Sequence, residues 1–184
     1  MAPEAQAGKQ PSPALIFDTF NYYQRTQALK TGIELEVFTA IAEGNTSAQT
    51  IAARCGASER GTRILCDFLV ISGFLTKDNN AYGLTPDSAM FLDKRSSAYM
   101  GTVSEFILSD HLTANFDHLT EAVRKGGTAG DTQPLEPNHP MWVKFARAMA
   151  PMMAMPSQLL AKLIDPNANQ KLRVLDIAAG HGLY

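Results

Sequence analysis

The sequence predicts a mainly α-helical chain with a winged helix near its centre and the opening of a doubly wound α/β domain at its end. Three observations carry this. Apolar residues recur at helical spacing through most of residues 14–164. Residues 46–85 read as helix, turn, helix and β-hairpin. The last eleven residues, Val174-Leu-Asp-Ile-Ala-Ala-Gly-His-Gly-Leu-Tyr184, read as a buried strand running into a glycine-rich turn. Small residues there let the backbone approach a nucleotide-type ligand that larger side chains would exclude.

Residues 1–13 are polar and rich in Ala, Gln and Pro, with neither the basic start nor the apolar stretch of a signal peptide. They are predicted as a disordered leader. Up to Gly44 two helical patterns follow one another. Leu15, Ile16, Phe20 and Tyr23 share one face, and Ile33, Val37, Phe38 and Ile41 share another, with Gly44 as the stop. Thr46 with Gln49 offers a capping box for a short helix, Ala48–Cys55. After a turn at Gly56, Ser58 opens a second helix to about Ser72, with Ile64, Leu65, Phe68, Leu69 and Ile71 expected inward. Strands at 74–77 and 81–85 flank an Asp78-Asn79-Asn80 turn. Thr85-Pro86-Asp87 starts another helix, with Thr as cap and Pro at the first helical position.

Residues 96–125 are helical in pattern through Phe106, Leu108, Phe116, Leu119 and Val123, and 126–140 form a Gly/Pro-rich loop. A long helix from Met141 carries Trp142, Phe145, Met149 and Met152 and is expected to break or kink near Pro151 and Pro156. A polar linker at 165–171 leads to the strand that begins at Leu172. The expected domain plan is a leader at 1–13, a helical domain at 14–165 and the start of an α/β domain at 172–184.

Composition narrows the function. A chain of 184 residues, 45% hydrophobic and 18% charged, has the makeup of a soluble globular protein with one good-sized domain, or one domain and part of another. A net charge of −2 exerts no overall pull toward nucleic acid or an anionic membrane. The two cysteines, Cys55 and Cys66, lack a second pair for zinc and read as small buried residues of a cytoplasmic protein. The most apolar region, 145–164, is interrupted by Arg147, Pro151, Pro156 and Lys162, which suits a core or interface helix rather than a membrane span.

A winged helix most often reads DNA, yet here the side chains argue otherwise. Residues 46–85 carry Arg54, Arg60, Arg63 and Lys77 against Glu59, Asp67 and Asp78, a surplus of one positive charge. Phosphate binding calls for a denser basic face, and the wing tip Asp78-Asn79-Asn80 offers no cation. A scaffold for chain association is favoured, because the preceding helices carry more apolar surface than one small unit can cover.

In this order the parts resemble one family: the S-adenosylmethionine-dependent O-methyltransferases of the caffeate and acetylserotonin type, with their bacterial small-molecule relatives. The stretches that carry the resemblance are Tyr82-Gly-Leu-Thr-Pro, His118-Leu-Thr-Glu-Ala-Val, Phe145-Ala-Arg-Ala-Met149 and Val174-Leu-Asp-Ile-Ala-Ala-Gly-His-Gly. Each alone is weak; the four in sequence are specific. The resemblance spans residues 15–184 and the first half or so of a family member.

It implies an intertwined homodimerisation domain that lends residues to the partner's substrate pocket, followed by a truncated Rossmann-like methyltransferase domain. It implies transfer of a methyl group from S-adenosyl-L-methionine to an oxygen of a small, often aromatic molecule. Phe145 and Met149, one turn apart, would line the substrate pocket, with Trp142 and Met152 beside them. Arg147 corresponds to an arginine that meets the cofactor carboxylate in bacterial relatives. Asp176, Ala178, Gly180 and Gly182 match the first cofactor motif, with Ala178 where the family usually has glycine. His181 reads as a loop residue. The family's histidine base and its ribose-binding acid fall beyond Tyr184, so no catalytic residue is assigned. His111, His118 and His139 are not promoted to that role, and no metal site is expected.

The sequence therefore predicts the N-terminal part of an O-methyltransferase, homodimeric through about 14–45 and 96–125, that neither binds the cofactor well nor turns over alone. The alternatives are a winged-helix transcriptional regulator and a stand-alone dimerisation remnant.

Overall fold

The structure, a computed structural model, describes residues 10–129 and 140–164 together with Leu175. The expectations for the leader up to residue 9, for most of the Gly/Pro-rich loop, for the linker and, Leu175 apart, for the terminal strand and turn lie outside the described residues. Leu175 itself is 82% exposed and not in a strand, against the buried strand expected there.

The chain opens with α1 (Ala14–Glu34) and, after a left-handed Glu36 (φ 58°), turns into α2 (Val37–Ala42). Next come α3 (Ala48–Cys55) and α4 (Glu59–Ile71), then a hairpin of β1 (Leu75–Asp78) and β2 (Ala81–Leu84). The hairpin is antiparallel and pairs Leu75 with Leu84 and Asp78 with Ala81. Asn79 and Asn80 both have positive φ (45° and 66°), the conformation of a two-residue turn whose twist matches the strands. Helix, turn, helix and hairpin form the predicted winged helix. Helix α5 (Pro86–Phe91) follows, capped by Thr85 with Pro at its first position as expected.

Four details differ from the sequence reading. The capping box of α3 sits one residue later: the Thr50 N–H donates to Ser47 Oγ at 3.1 Å, and the Ser47 N–H donates back to Thr50 Oγ1 at 3.2 Å. Short hydroxyl side chains close this box in place of the Gln amide. On α4 the inward residues are Thr62, Cys66 and Leu69, whereas Ile64 and Ile71 are exposed. Burial follows the i, i+4, i+7 stripe, and apolar character alone pointed two residues to the wrong side.

Residues 96–125 are not one helix but three short ones: α6 (Thr102–Ile107), α7 (Asp110–Asp117) and α8 (Leu119–Lys125). Ser109 and His118 interrupt the helical run with non-helical backbone. Finally, α9 (Met141–Ile164) runs as one 24-residue helix through Pro151 and Pro156 rather than ending there. Each proline deletes one N–H from the ladder, and the bonds on either side suffice to carry the helix on.

The core lies in the winged unit. Val37, Phe38, Ala40, Ile41, Ile51, Cys66, Leu69, Leu75 and Tyr82 form its buried cluster, with Leu29 and Ile33 of α1 packed against it. Full burial of side chains such as Phe38 and Leu69 stabilises the fold by about 1.5–3 kcal/mol each. Gly32 on α1 lets Phe38 and Leu69 pass close by, since a Cβ there would stand 3.1 and 3.2 Å from their nearest atoms. The second packing centre is α6 against α9, with Met141 and Ala148 as the buried seam of α9.

Much apolar surface stays uncovered. On α1, Leu15, Ile16, Phe17, Phe20 and Tyr23 are exposed, as are Phe116, Leu119 and Val123 on α7 and α8. These are the two stretches in which the sequence placed the association surface. Among the described residues no helix is long and apolar enough to cross a membrane.

Candidate functional site

The cations of the winged helix are largely spoken for. Arg54 donates through Nε to Glu43 Oε2 at 2.6 Å and through Nη2 to Glu36 Oε2 at 3.2 Å. Its forked donors hold both carboxyls below the usual range; for Glu36 the bond from Lys94 is the larger cause. Lys77 Nζ donates to Asp67 Oδ1 at 2.6 Å, and Arg63 lies 3.7 Å from the other oxygen of the same carboxylate. Three of the four cations that residues 46–85 could offer a phosphate thus face acids of this chain. Electrostatics here serve the internal architecture: Glu36 also accepts from Lys94 at 2.7 Å, so one carboxylate ties α3 to the segment after α5.

Helix α9 presents the residues singled out as a pocket wall. At about 100° per residue, Phe145, Met149 and Met152 fall on one side, and Trp142 flanks them. Phe145 and Trp142 meet edge to face, 6.4 Å between centroids at 89°. Phe106 of α6 meets the same Phe145 ring at 5.1 Å and 68°. Phe145, Trp142 and Met152 are exposed and Met149 is half-buried, so two rings and two thioethers line the outer side of the α6–α9 seam, with the half-buried Phe106 ring behind them. Such a surface offers ring faces, ring edges and polarisable sulfur, which suit a flat apolar ligand.

Phe106 is the member that sequence reading missed as a site residue. Helical spacing marked it as apolar, but nothing in the spacing paired α6 with α9. Arg147 is not part of the group. Two positions from both Phe145 and Met149, it projects about 200° away around the helix and is exposed. Asp176, Ala178, Gly180 and Gly182 lie outside the described residues.

A separate cleft of about 450 Å³ opens among α1, α6 and α9, with Lys30, Glu34, Lys94, Tyr99, Glu105 and Lys144 among its lining residues. Its charges are of both signs. Lys30 Nζ donates to the Leu108 carbonyl at 3.3 Å, and burial pushes the Tyr99 phenol up. The cleft shares none of the predicted wall residues. Among the described residues no three His, Cys, Asp or Glu side chains cluster to hold a metal. Both thiols are pushed up by burial, Cys66 to about 12, so neither is a nucleophile at neutral pH.

Residues 17–94, which include the whole winged unit, match the O-methyltransferase dimerisation domain. A solved structure of a candidate O-methyltransferase from Nostoc punctiforme PCC 73102 is 54% identical, covers 95% of this chain and superposes with a TM-score of 0.82. This chain carries an O-methyltransferase dimerisation domain. A curated relative, the 3-hydroxy-5-methyl-1-naphthoate 3-O-methyltransferase of Streptomyces sahachiroi, is 26% identical over 92% of the chain. Human N-acetylserotonin methyltransferase, solved in complex with SAM, shares the fold at 24% identity, 86% coverage and a TM-score of 0.68. The chain spans about half the length of these proteins: 52% of the Nostoc chain and 50% of each of the other two.

Proposed function

We propose that this chain supplies the dimerising and substrate-shaping portion of an S-adenosyl-L-methionine-dependent O-methyltransferase that acts on a small, flat aromatic molecule. The observation that carries the reading is the aromatic wall of α9, set on a chain whose residues 17–94 match the family's dimerisation domain. The naphthoate named for the Streptomyces relative is an acceptor of the size and flatness such a wall suits.

The domain plan follows the same reading: a helical domain at 14–165 and the start of the cofactor domain at 172–184. Asp176, Ala178, Gly180 and Gly182 are assigned to the methionine end of the cofactor on the sequence motif alone. Arg147 is assigned to its carboxylate on the same resemblance. When bound, S-adenosylmethionine supplies an electrophilic methyl group. The chain's own task is to hold the acceptor ring flat and aligned and to exclude water, so that catalysis comes chiefly from proximity. No residue is assigned as base, and the chain by itself is expected to have no turnover.

The dimer is part of the proposal. The exposed apolar residues of α1 and of α7–α8 pair with a second copy, which accounts for surface that the chain leaves bare. The unreactive thiols suit a cytoplasmic location. DNA regulation is disfavoured by the internal pairing of Arg54, Arg63 and Lys77. A stand-alone dimerisation partner for intact relatives would use the same surfaces but lack acceptor binding.

The test is calorimetric titration of the full chain with 2-naphthol, alongside a radiolabel assay for transfer from S-adenosylmethionine. Binding of the naphthol without transfer is expected. Failure to bind any flat aromatic would remove the substrate-wall reading. Transfer by this chain alone would overturn the claim that it lacks turnover.

A further inference from the structure

Phe106 stands behind the wall rather than on it. Phe145 and Trp142 are exposed by 39% and 45%, whereas Phe106 is half-buried between α6 and α9. We propose that Phe106 is a positioning residue whose ring fixes the attitude of Phe145 and thereby sets the wall's preference for unsaturated over saturated rings. The proposal rests on the reading of that wall as a substrate surface.

The argument starts from the geometry of the pair. At 5.1 Å and 68°, the positive rim of one ring meets the negative face of the other. That contact has a preferred angle, which an aliphatic neighbour would not impose. Trp142 approaches Phe145 from a second direction at 6.4 Å and 89°, so rings constrain Phe145 on two sides while part of it remains open. An unconstrained phenylalanine of that exposure would sample several ring orientations. A constrained one offers the same orientation to every ligand.

The energetic consequence separates two terms. Burial of ligand area against Phe145, Met149 and Met152 rewards any apolar molecule and depends little on the angle of the ring. The aromatic pairing contribution, about 0.5–1.5 kcal/mol per pair, exists only for an unsaturated ligand and only at the right angle. Removing the Phe106 ring frees Phe145, so the second contribution falls while the first remains. Phe106 therefore acts on selectivity without touching the ligand.

The experiment compares 2-naphthol with decahydro-2-naphthol, its saturated counterpart, by calorimetric titration of the full chain and of F106L, F106M and F106Y. The wild-type chain is expected to bind 2-naphthol about 2- to 13-fold more tightly than the saturated ligand, the ratio that one such pairing provides. F106Y keeps the ring and keeps the ratio. F106L brings the ratio close to one and leaves the affinity for the saturated ligand unchanged. F106M gives the same comparison, with a flexible side chain able to fill an irregular gap, should F106L fail to fold. The aromatic circular dichroism of Trp142, the chain's single tryptophan, should weaken in F106L and F106M and persist in F106Y.

A wild-type ratio near one, a ratio undiminished in the aliphatic variants, or a ratio lost in F106Y would overturn the role of Phe106 while leaving the wall standing. Absence of binding of either ligand to the wild-type chain would overturn the wall, and this inference with it.

Discussion

Replacing Tyr82 with phenylalanine tests how the winged unit is held together. Tyr82 is 2% exposed, and its hydroxyl donates to Asp67 Oδ1 at 2.7 Å, bridging β2 to α4. Phenylalanine keeps the ring and removes only the hydroxyl, which also accepts a longer bond from Lys77 Nζ at 3.3 Å. A hydrogen bond to a charged partner contributes about 1.5–3 kcal/mol. The low end applies, because the Asp67 side chain is 34% exposed and retains Lys77 at 2.6 Å, so solvent and Lys77 recover part of the loss. The expected cost is about 1–1.5 kcal/mol, or a fall in Tm of roughly 2–6 °C for a chain of this size. Thermal melts followed by circular dichroism measure it.

The pH dependence gives a second check on the same bond. Hydrogen bonds from Lys77 and then from Tyr82 hold the Asp67 carboxyl below the ordinary range. A group whose pKa is depressed by folding contributes stability that is present above its unfolded value, about 3.9, and lost as pH falls through that value toward the folded one. The gap between wild type and Y82F should therefore be full at pH 7 and narrow below about pH 4. Burial, followed by the Asp67 bond, raises the Tyr82 phenol. The wild-type advantage should thus also decline as pH rises above about 10 through the folded value. A Tm shift under 1 °C at pH 7, or a gap that widens in acid, would show that the bond does not contribute as argued.

Four further outcomes are expected. Leu69→Ala empties the centre of the core and should cost about 2–5 kcal/mol in urea denaturation; a cost under 1 kcal/mol would contradict its placement. Gly32→Ala gains about 1 kcal/mol of helix propensity but crowds Phe38 and Leu69, at about 1–3 kcal/mol for overpacking. A net loss of up to about 2 kcal/mol follows, and a stabilised variant would refute the crowding. Phe20→Glu puts a charge into the exposed α1 face and should convert dimer to monomer in sedimentation velocity; a wild-type monomer at tens of micromolar would remove the premise. Cys66 should resist a thiol reagent at pH 8 in the folded chain and react in urea, because burial raises it to about 12; ready labelling of the native chain would contradict its burial.

The winged helix was legible from punctuation and period together. Gly56, Ser58, the Asn79-Asn80 turn and Thr85-Pro86 each impose a local backbone preference, and the structure uses every one of them. Where reading failed, tertiary context decided. Ile64 and Ile71 are as apolar as Leu69, and only the packing direction of α4 separates them. The division of residues 96–125 was hidden because Leu108 and Leu119 sustain an apolar rhythm across breaks that fall at polar Ser109 and His118. For the candidate site, sequence placed Trp142, Phe145, Met149 and Met152 on one helix, since spacing along a helix is intrinsic. It could not place Phe106 against Phe145, because a contact between residues 39 apart depends on how α6 and α9 are arranged.

The start of α1 has a consequence for how this protein behaves when dilute. Residues 14–24 leave every side chain exposed, and a free-standing helix of that length is marginal in water. Order in this arm therefore depends on company. Helicity and thermal resistance should climb with protein concentration, and a single melting temperature quoted without the protomer concentration would be ill-defined.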